Sequence, residues 1–332
     1  MTAYLRRLYK QFHPPPDPAD ASFEGKTVLV TGATSGLGFE AALKFLKQGA
    51  TTVIIGSRSL ERGQQAKEDL ERRANRTGVV QVWHLDQARF QSVREFAERV
   101  NNEIPRLDIA LLNIGLLHRE YVVSPDGWEE TLQVNVLSTA LLALLLLPKL
   151  RESSSGSFPA HLTIVSSGAL ARVREKELPA DGGLLKNLNS EGRNNRARYG
   201  PSKLLVEYVA RNIAELTRNP DGSLQVIVNT AIPGFCVSSL GREYNRFFER
   251  LIIGLFTALL ARTAEQGSRA LVSAVLQGAE SHGKSWEGGG YFDESNSLLV
   301  GPTGKRLQST VWAEIIDVLK AQAPEIGDLV KS

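Results

Sequence analysis

Cysteine is almost missing from this chain. Its 332 residues contain one, Cys236, which excludes an intramolecular disulfide and fits a reducing, cytoplasmic setting. The five histidines, His13, His84, His118, His161 and His282, show no metal-ligand spacing, so no metal site is expected. No dense basic cluster occurs either. The net charge of +3 is spread along the chain, which leaves nucleic-acid binding without an electrostatic footprint. We find no internal repeat, no low-complexity tract and no signal-peptide apolar core. The most apolar run, Leu141 to Leu147, is too short with its flanks to span a bilayer and stops at Pro148. It reads as a buried helix that could also serve as the interface of a homodimer.

With 42% hydrophobic residues the chain can bury a full core. Length alone would allow two domains, but the motifs order themselves along one continuous α/β unit, over about 25–325. Residues 1–24 form an N-terminal arm. Arg6, Arg7 and Lys10 stand there among apolar residues, and His13-Pro14-Pro15-Pro16-Asp17-Pro18 breaks any helix. An ordinary flexible arm is the favoured reading over a mitochondrial presequence or a peripheral membrane-surface helix.

Chemistry is carried by two separated motifs. The first is Thr31-Gly32-Ala33-Thr34-Ser35-Gly36-Leu37-Gly38, set between the β-branched run Lys26–Val30 and a helical pattern from Phe39 to Gln48. Strand, glycine turn and helix in this order make a phosphate cradle. Gly32 takes the unusual dihedrals, Gly36 and Gly38 allow close approach, and the helix N-terminus offers free N–H groups to a pyrophosphate. The spacing differs from the commoner G-x-G-x-x-G. The next strand, Thr52–Ile55, leads to Gly56-Ser57-Arg58, where an adenosine ribose is normally met. A cation there favours a 2′-phosphate, hence NADP(H) over NAD. The competing reading is that Arg58 merely opens a solvated charged helix.

The second motif is Tyr199-Gly200-Pro201-Ser202-Lys203. A tyrosine ionises at about pH 10, and bringing that to neutrality takes about 4 kcal/mol of stabilisation of the anion. A lysine four residues on lies on the same helical face and can supply part of it. Alone, Tyr-x-x-x-Lys is as well explained by an exposed helical face. Here it follows a strand Leu162–Val165 ending in Ser166-Ser167, a strand Ile109–Leu112 ending in Asn113-Ile114-Gly115, and Asn135 inside an apolar helical run. A buried amide in that run needs a polar reason.

Taken together, these residues resemble the short-chain dehydrogenase/reductase family in its classical branch, from about Gly25 to Val300. The resemblance implies a Rossmann-type fold, a doubly wound parallel sheet flanked by helices. It also implies a catalytic tetrad of Asn135, Ser167, Tyr199 and Lys203. Cofactor contacts would come from Gly32, Ser35, Gly36, Leu37, Gly38, Arg58, Asp86, Asn113, Tyr199, Lys203, Pro233, Val237 and Ser238. Asp86 would contact adenine, and Pro233 to Ser238 would close over the nicotinamide, with Ser238 where threonine is usual. The Leu112-Asn113 pattern and the run Leu144–Leu150 look like fungal specialised-metabolism enzymes, and more distantly like retinol-dehydrogenase-like, membrane-associated ones.

Three features depart from the family. Leu112-Asn113-Ile114-Gly115 stands where Asn-Asn-Ala-Gly is usual, so one amide is missing and a bulkier side chain faces the cofactor side. Two serines, Ser166 and Ser167, stand where one is usual, and the strand spacing selects Ser167. A long polar segment, Arg172 to Arg198, separates Ser167 from Tyr199 and reads as a loop at the substrate mouth. Substrate choice falls to 237–262, a family lid, where Phe247, Phe248, Leu251, Ile252, Phe256 and Leu260 suit a bulky hydrophobic ketone, aldehyde or alcohol such as a polyketide or terpenoid intermediate. The same residues could equally pack a core helix. The fold also serves proteins that bind NADP as a redox signal without turnover, a second reading against which the complete tetrad argues.

Overall fold

The computed structural model describes residues 9–154, 158–175, 178, 183–191, 198–237, 240, 257, 259–292 and 297–330. Among these, seven strands form one parallel sheet in the order β3-β2-β1-β4-β5-β6-β7. They are β1 (Thr27–Thr31), β2 (Thr52–Ser57), β3 (Val80–His84), β4 (Ile109–Leu112), β5 (Ala160–Val165), β6 (Val226–Ala231) and β7 (Ser285–Trp286). Val28 pairs with Val53 on one side and Ile109 on the other. The strand order therefore reverses between β1 and β4, and a crevice opens there at the carboxyl ends of the strands.

Period-2 alternation decides which helix layer each strand residue meets. Leu29, Ala110 and Leu162 point into one apolar layer, under α3 (Phe90–Glu103), α4 (Ser138–Ser153), α6 (Tyr199–Leu216) and α8 (Pro302–Gln322). Val28, Val30, Ile109 and Leu111 point into the other, under α1 (Gly36–Lys47), α2 (Leu60–Ala74) and α7 (Ala264–Ala274). A doubly wound parallel sheet flanked by helices is the outcome, as the family resemblance implied.

Three expectations need correction. The helix through Leu141–Leu147 does not end at Pro148 but runs on to Ser153. Asn101 Nδ2 donates to the Leu145 carbonyl at 3.1 Å, in the turn that the proline ring disturbs. Leu141 to Leu147 are all buried inside the single chain, so this run offers no exposed apolar face to a second subunit. From Glu130 to Ser153 the helix is long and apolar enough to cross a membrane, yet its most apolar stretch is 94% buried within the protein.

The segment between Ser167 and Tyr199 is not simply a loop. It contains a short helix, α5 (Leu184–Leu188), whose Leu184, Leu185 and Leu188 join the core. Glu314 of α8 holds its start, accepting from Gly183 N at 2.7 Å and Leu185 N at 3.0 Å.

Nor is the N-terminal arm free from Tyr9 onward. Tyr9 stacks on His13 with ring centroids 3.9 Å apart, Asp17 pairs with Lys44 at 2.8 Å, and Gln48 Nε2 donates to the Pro18 carbonyl at 2.6 Å. Phe23 is fully buried against Phe45. The three prolines rigidify the strand between these anchors, so docking it costs little chain entropy.

Candidate active site

Both motifs lie at the carboxyl edge of the sheet, beside the strand-order reversal. Gly32 and Gly36 adopt φ of +68° and +61°, open to glycine at no steric cost. Gly38 is required for a different reason: a Cβ there would stand 2.5 Å from both Asn113 Nδ2 and the Gly32 carbonyl oxygen. The turn is thus folded tightly onto Asn113. That asparagine gives its own N–H to Thr31 Oγ1 at 2.9 Å and its amide Nδ2 to the carbonyls of Thr31 at 3.1 Å and Gly32 at 3.3 Å. Asn113 shapes the cradle from beneath. Ile114 lies against Gly32, its Cγ1 3.0 Å from where a Cβ would be, so the bulkier side chain packs on the glycine turn.

Ser35 is the N-cap of α1, extended at φ −167°, and its hydroxyl makes no cap bond. It is exposed with Leu37 beside it, at the helix end whose N–H groups suit an anion. Arg58 is exposed between the end of β2 and Ser59, the N-cap of α2, so it precedes the solvated helix and does not belong to it. Half-buried Asp86 follows β3, its Oδ1 accepting from Ala88 N at 3.1 Å. These residues leave room and donors for a dinucleotide phosphate, so the cradle fits the group that the motif implied.

The tetrad assembles at the ends of β4 and β5. Ser166 closes β5 through its N–H to the Ala231 carbonyl at 2.9 Å and is buried. Ser167, and not Ser166, hydrogen-bonds Tyr199. Lys203 follows one turn along α6, its Nζ donating to the Val165 carbonyl at 2.9 Å. Gly115 packs close to the pair: a Cβ there would stand 3.3 Å from Lys203 Nζ and 3.5 Å from Asn135 Oδ1.

Asn135 lies in a π turn, Gln133–Leu137, that leads into α4, a deviation often found at functional sites. Its amide is fully engaged: Nδ2 donates to the Leu116 carbonyl at 3.0 Å and to Ser202 Oγ at 3.1 Å, and Oδ1 accepts from Leu116 N at 2.8 Å. The side chain thus fixes the loop after β4 to α6.

Burial raises the ionisation of Tyr199, with the Ser167 hydrogen bond opposing. Burial pulls the Lys203 ammonium down to about 8, with the charge of Glu207 opposing. Glu207 is the site residue that the sequence reading missed. It lies one further turn along α6, fully buried, and accepts from Thr230 Oγ1 at 3.0 Å and Ser285 Oγ at 2.7 Å. Its signal was legible: Tyr199, Lys203 and Glu207 are spaced i, i+4, i+8, one face of a helix otherwise apolar there. Arg198 was missed too. It is buried just before Tyr199, donating Nε to the Leu188 carbonyl at 3.0 Å and facing the Tyr121 ring at 5.1 Å, so α5 sets where α6 begins.

Pro233 to Val237 follow β6, and Cys236 and Leu37 both pack on Gly267 of α7, where a Cβ would meet Cys236 Sγ and Leu37 Cδ2, each at 2.5 Å. Ser238 and most of 237–262, Phe247, Phe248 and Phe256 included, lie outside the described residues. No group of three His, Cys, Asp or Glu suited to a metal occurs among the described residues. An apolar hollow under Phe158, Leu224 and Leu276 lies at the opposite end of β5 and β6 from the tetrad.

A switch-point crevice with a glycine cradle on one side and a Ser–Tyr–Lys cluster on the other defines a nucleotide-dependent oxidoreductase site. Residues 26–171 match the family described as short chain dehydrogenase. The chain is 42% identical to the short-chain dehydrogenase/reductase ffsI of Aspergillus flavipes, over 96% of this chain and 92% of that one. It is 41% identical to phmF of Phaeosphaeria nodorum, named likewise, over 97% and 94%. In fold it is similar to RhlG of Pseudomonas aeruginosa, solved as an NADP active-site complex, with a TM-score of 0.60 and 24% identity over 81% of this chain and 97% of that one. The chain belongs to the short-chain dehydrogenase/reductase family, whose members are nicotinamide-dependent oxidoreductases.

Proposed function

We propose that the protein is an NADP(H)-dependent oxidoreductase that reduces a carbonyl to an alcohol, or runs the reverse, on a bulky hydrophobic substrate of the polyketide or terpenoid kind made in secondary metabolism. The observation that carries this reading is the Ser167–Tyr199 hydrogen bond with Lys203 one turn on. The resemblance to fungal specialised-metabolism enzymes supports the substrate class, and exposed Arg58 at the end of β2 supports the 2′-phosphate. We propose a cytoplasmic enzyme acting on a small hydrophobic molecule, with no nucleic acid as partner and no transmembrane segment; peripheral membrane contact and a homodimer stay within the same reading.

When bound, the nicotinamide supplies or accepts the hydride. The chain does the rest. Tyr199, held protonated at neutral pH by its burial, is in the state a proton donor needs. Its hydroxyl gives the proton to the substrate oxygen, while the Ser167 hydroxyl donates a second hydrogen bond to that oxygen. The tyrosinate left behind is stabilised by the Lys203 ammonium, still mostly charged at pH 7. Oxidation uses the same groups in reverse.

Titration of the purified protein with NADPH and NADH, followed by cofactor fluorescence and then by turnover of a panel of hydrophobic ketones, tests the reading. NADPH binds tighter than NADH, and Arg58→Asp reverses the order. Equal binding of the two by the parent protein would overturn the NADP assignment, and tight binding with no turnover of any ketone would favour the sensor. Comparing small and large ketones with Phe248→Ala and Phe256→Ala tests the hydrophobic substrate: an unchanged ratio would remove this segment from specificity.

A further inference from the structure

The segment that follows β6 is held by a residue far away in sequence. Gln11 Nε2 donates to the Phe235 carbonyl at 2.8 Å and to the Leu260 carbonyl at 2.7 Å, while its Oε1 accepts from Phe235 N at 2.9 Å. One amide thus joins both described ends of the 237–262 segment. Those ends also run side by side: Arg262 N donates to the Phe235 carbonyl and Val237 N to the Arg262 carbonyl, each at 2.9 Å.

Arg262 completes the attachment from the other direction. It is buried, and it donates Nη1 to the Pro233 carbonyl at 2.9 Å, Nε to the Gln11 carbonyl at 3.3 Å and Nη2 to the carbonyls of Lys10 and His13. The Lys10 ammonium pairs with Glu287 beyond β7. Gly234 is fitted to this junction. Its φ is +82°, and a Cβ would stand 3.0 Å from Gln11 Oε1 and 2.9 Å from Arg262 Nη1. The junction and the cradle share a neighbour, because Cys236 and Leu37 of the glycine turn both pack on Gly267 of α7, each 2.5 Å from where its Cβ would be.

We infer that the N-terminal strap completes the cofactor site from behind, with Gln11 as a positioning residue that fixes Pro233–Val237 against the glycine turn. The role rests on the proposed NADP(H) reading. Gln11 touches neither cofactor nor substrate; it acts through the backbone of Phe235 and Leu260. An amide is suited to this and a carboxylate is not, since the site asks one side chain to accept once and donate twice. The Pro14-Pro15-Pro16 stretch behind it is extended and stiff, and Pro15 lies against Gly288, 2.7 Å from where a Cβ would be. The strap therefore presents Gln11 with little entropy left to lose.

The test uses the full chain with Gln11→Ala, Gln11→Glu and, as a control, Asp17→Asn, which alters an arm contact away from the junction. In Gln11→Ala we expect the NADPH Kd to rise about tenfold, the effect of one to two net hydrogen bonds. Amide hydrogen exchange in the peptides carrying 233–237 and 259–263, measured without cofactor, becomes faster. Gln11→Glu fails to rescue either measurement, and Asp17→Asn leaves both unchanged. Unchanged NADPH affinity in Gln11→Ala, with or without faster exchange, would overturn the role of Gln11 while leaving the enzyme reading intact. Loss of affinity equal in Asp17→Asn would overturn it as well, by showing arm stability and not the amide to be what matters. Absence of NADPH binding by the parent protein would overturn the cofactor reading and this role together.

Discussion

Tyr199 and Glu207 occupy one face of one helix and answer to different measurements. Tyr199→Phe removes the proton donor and leaves the ring stem. Turnover is expected to fall by about 10²–10⁴-fold, with NADPH affinity within twofold of the parent by the same fluorescence titration. Retained turnover would remove Tyr199 from proton transfer. Glu207 acts through charge. Burial raises its own ionisation, opposed by hydrogen bonds from Ser285 and Thr230 and by the charge of Arg211, and its carboxylate in turn supports the Lys203 ammonium. Glu207→Gln keeps the shape and removes the charge, so Lys203 titrates below its value of about 8. The alkaline fall of kcat/KM should move to lower pH. A lowered Tm with an unmoved pH profile would make Glu207 a packing residue only.

Among the elements, the glycine turn carries the clearest prediction. A methyl at position 38 has nowhere to go, since the nearest atoms are the Gly32 backbone and the amide that fixes Asn113. Gly38→Ala is expected to weaken NADPH binding at least about tenfold, by forcing a backbone shift in the cradle. Gly36→Ala meets no neighbour within 4 Å but must hold φ +61°, so it should cost less. Equal affinities in the two variants would show that the clash at position 38 is relieved by local movement.

That turn, the strands that flank it and the Tyr–Lys face were legible in sequence because each depends on local rules: strand period, glycine placement and i, i+4 spacing. Pro148 misled because its local rule was outweighed by tertiary packing, with Asn101 reaching across to the disturbed turn. The segment before Tyr199 misled for a related reason. Its leucines read as few among many polar residues, yet α8 supplies both a surface for them and, through Glu314, the cap of α5. Gln11 was not legible at all, for a glutamine in a polar arm carries no pattern that names partners more than two hundred residues away.

The whole molecule's response to acid follows from two histidines that tie its layers together. His161, in β5, donates through Nε2 to the Gln277 carbonyl at 3.0 Å, and burial pulls its ionisation below the ordinary value. His282, also pulled down by burial, joins β6 to the end of α6: Nδ1 accepts from Val228 N at 3.2 Å, and Nε2 faces the Ala214 carbonyl at 3.0 Å. The accepting Nδ1 requires the neutral ring. Since the folded chain binds these protons less readily than the unfolded chain, whose histidines ionise at about pH 6.5, the two rings stabilise the fold fully above that pH. Their contribution is lost as pH falls below it. Between pH 7 and 5, where carboxylates are still mostly ionised, unfolding by urea should show stability falling with pH. His161→Gln with His282→Gln lacks the titrating groups, and its stability should change less across that window even if it starts lower. An equal slope in parent and variant would place the acid sensitivity elsewhere, in groups that gain protons on unfolding without bridging β6 to α6.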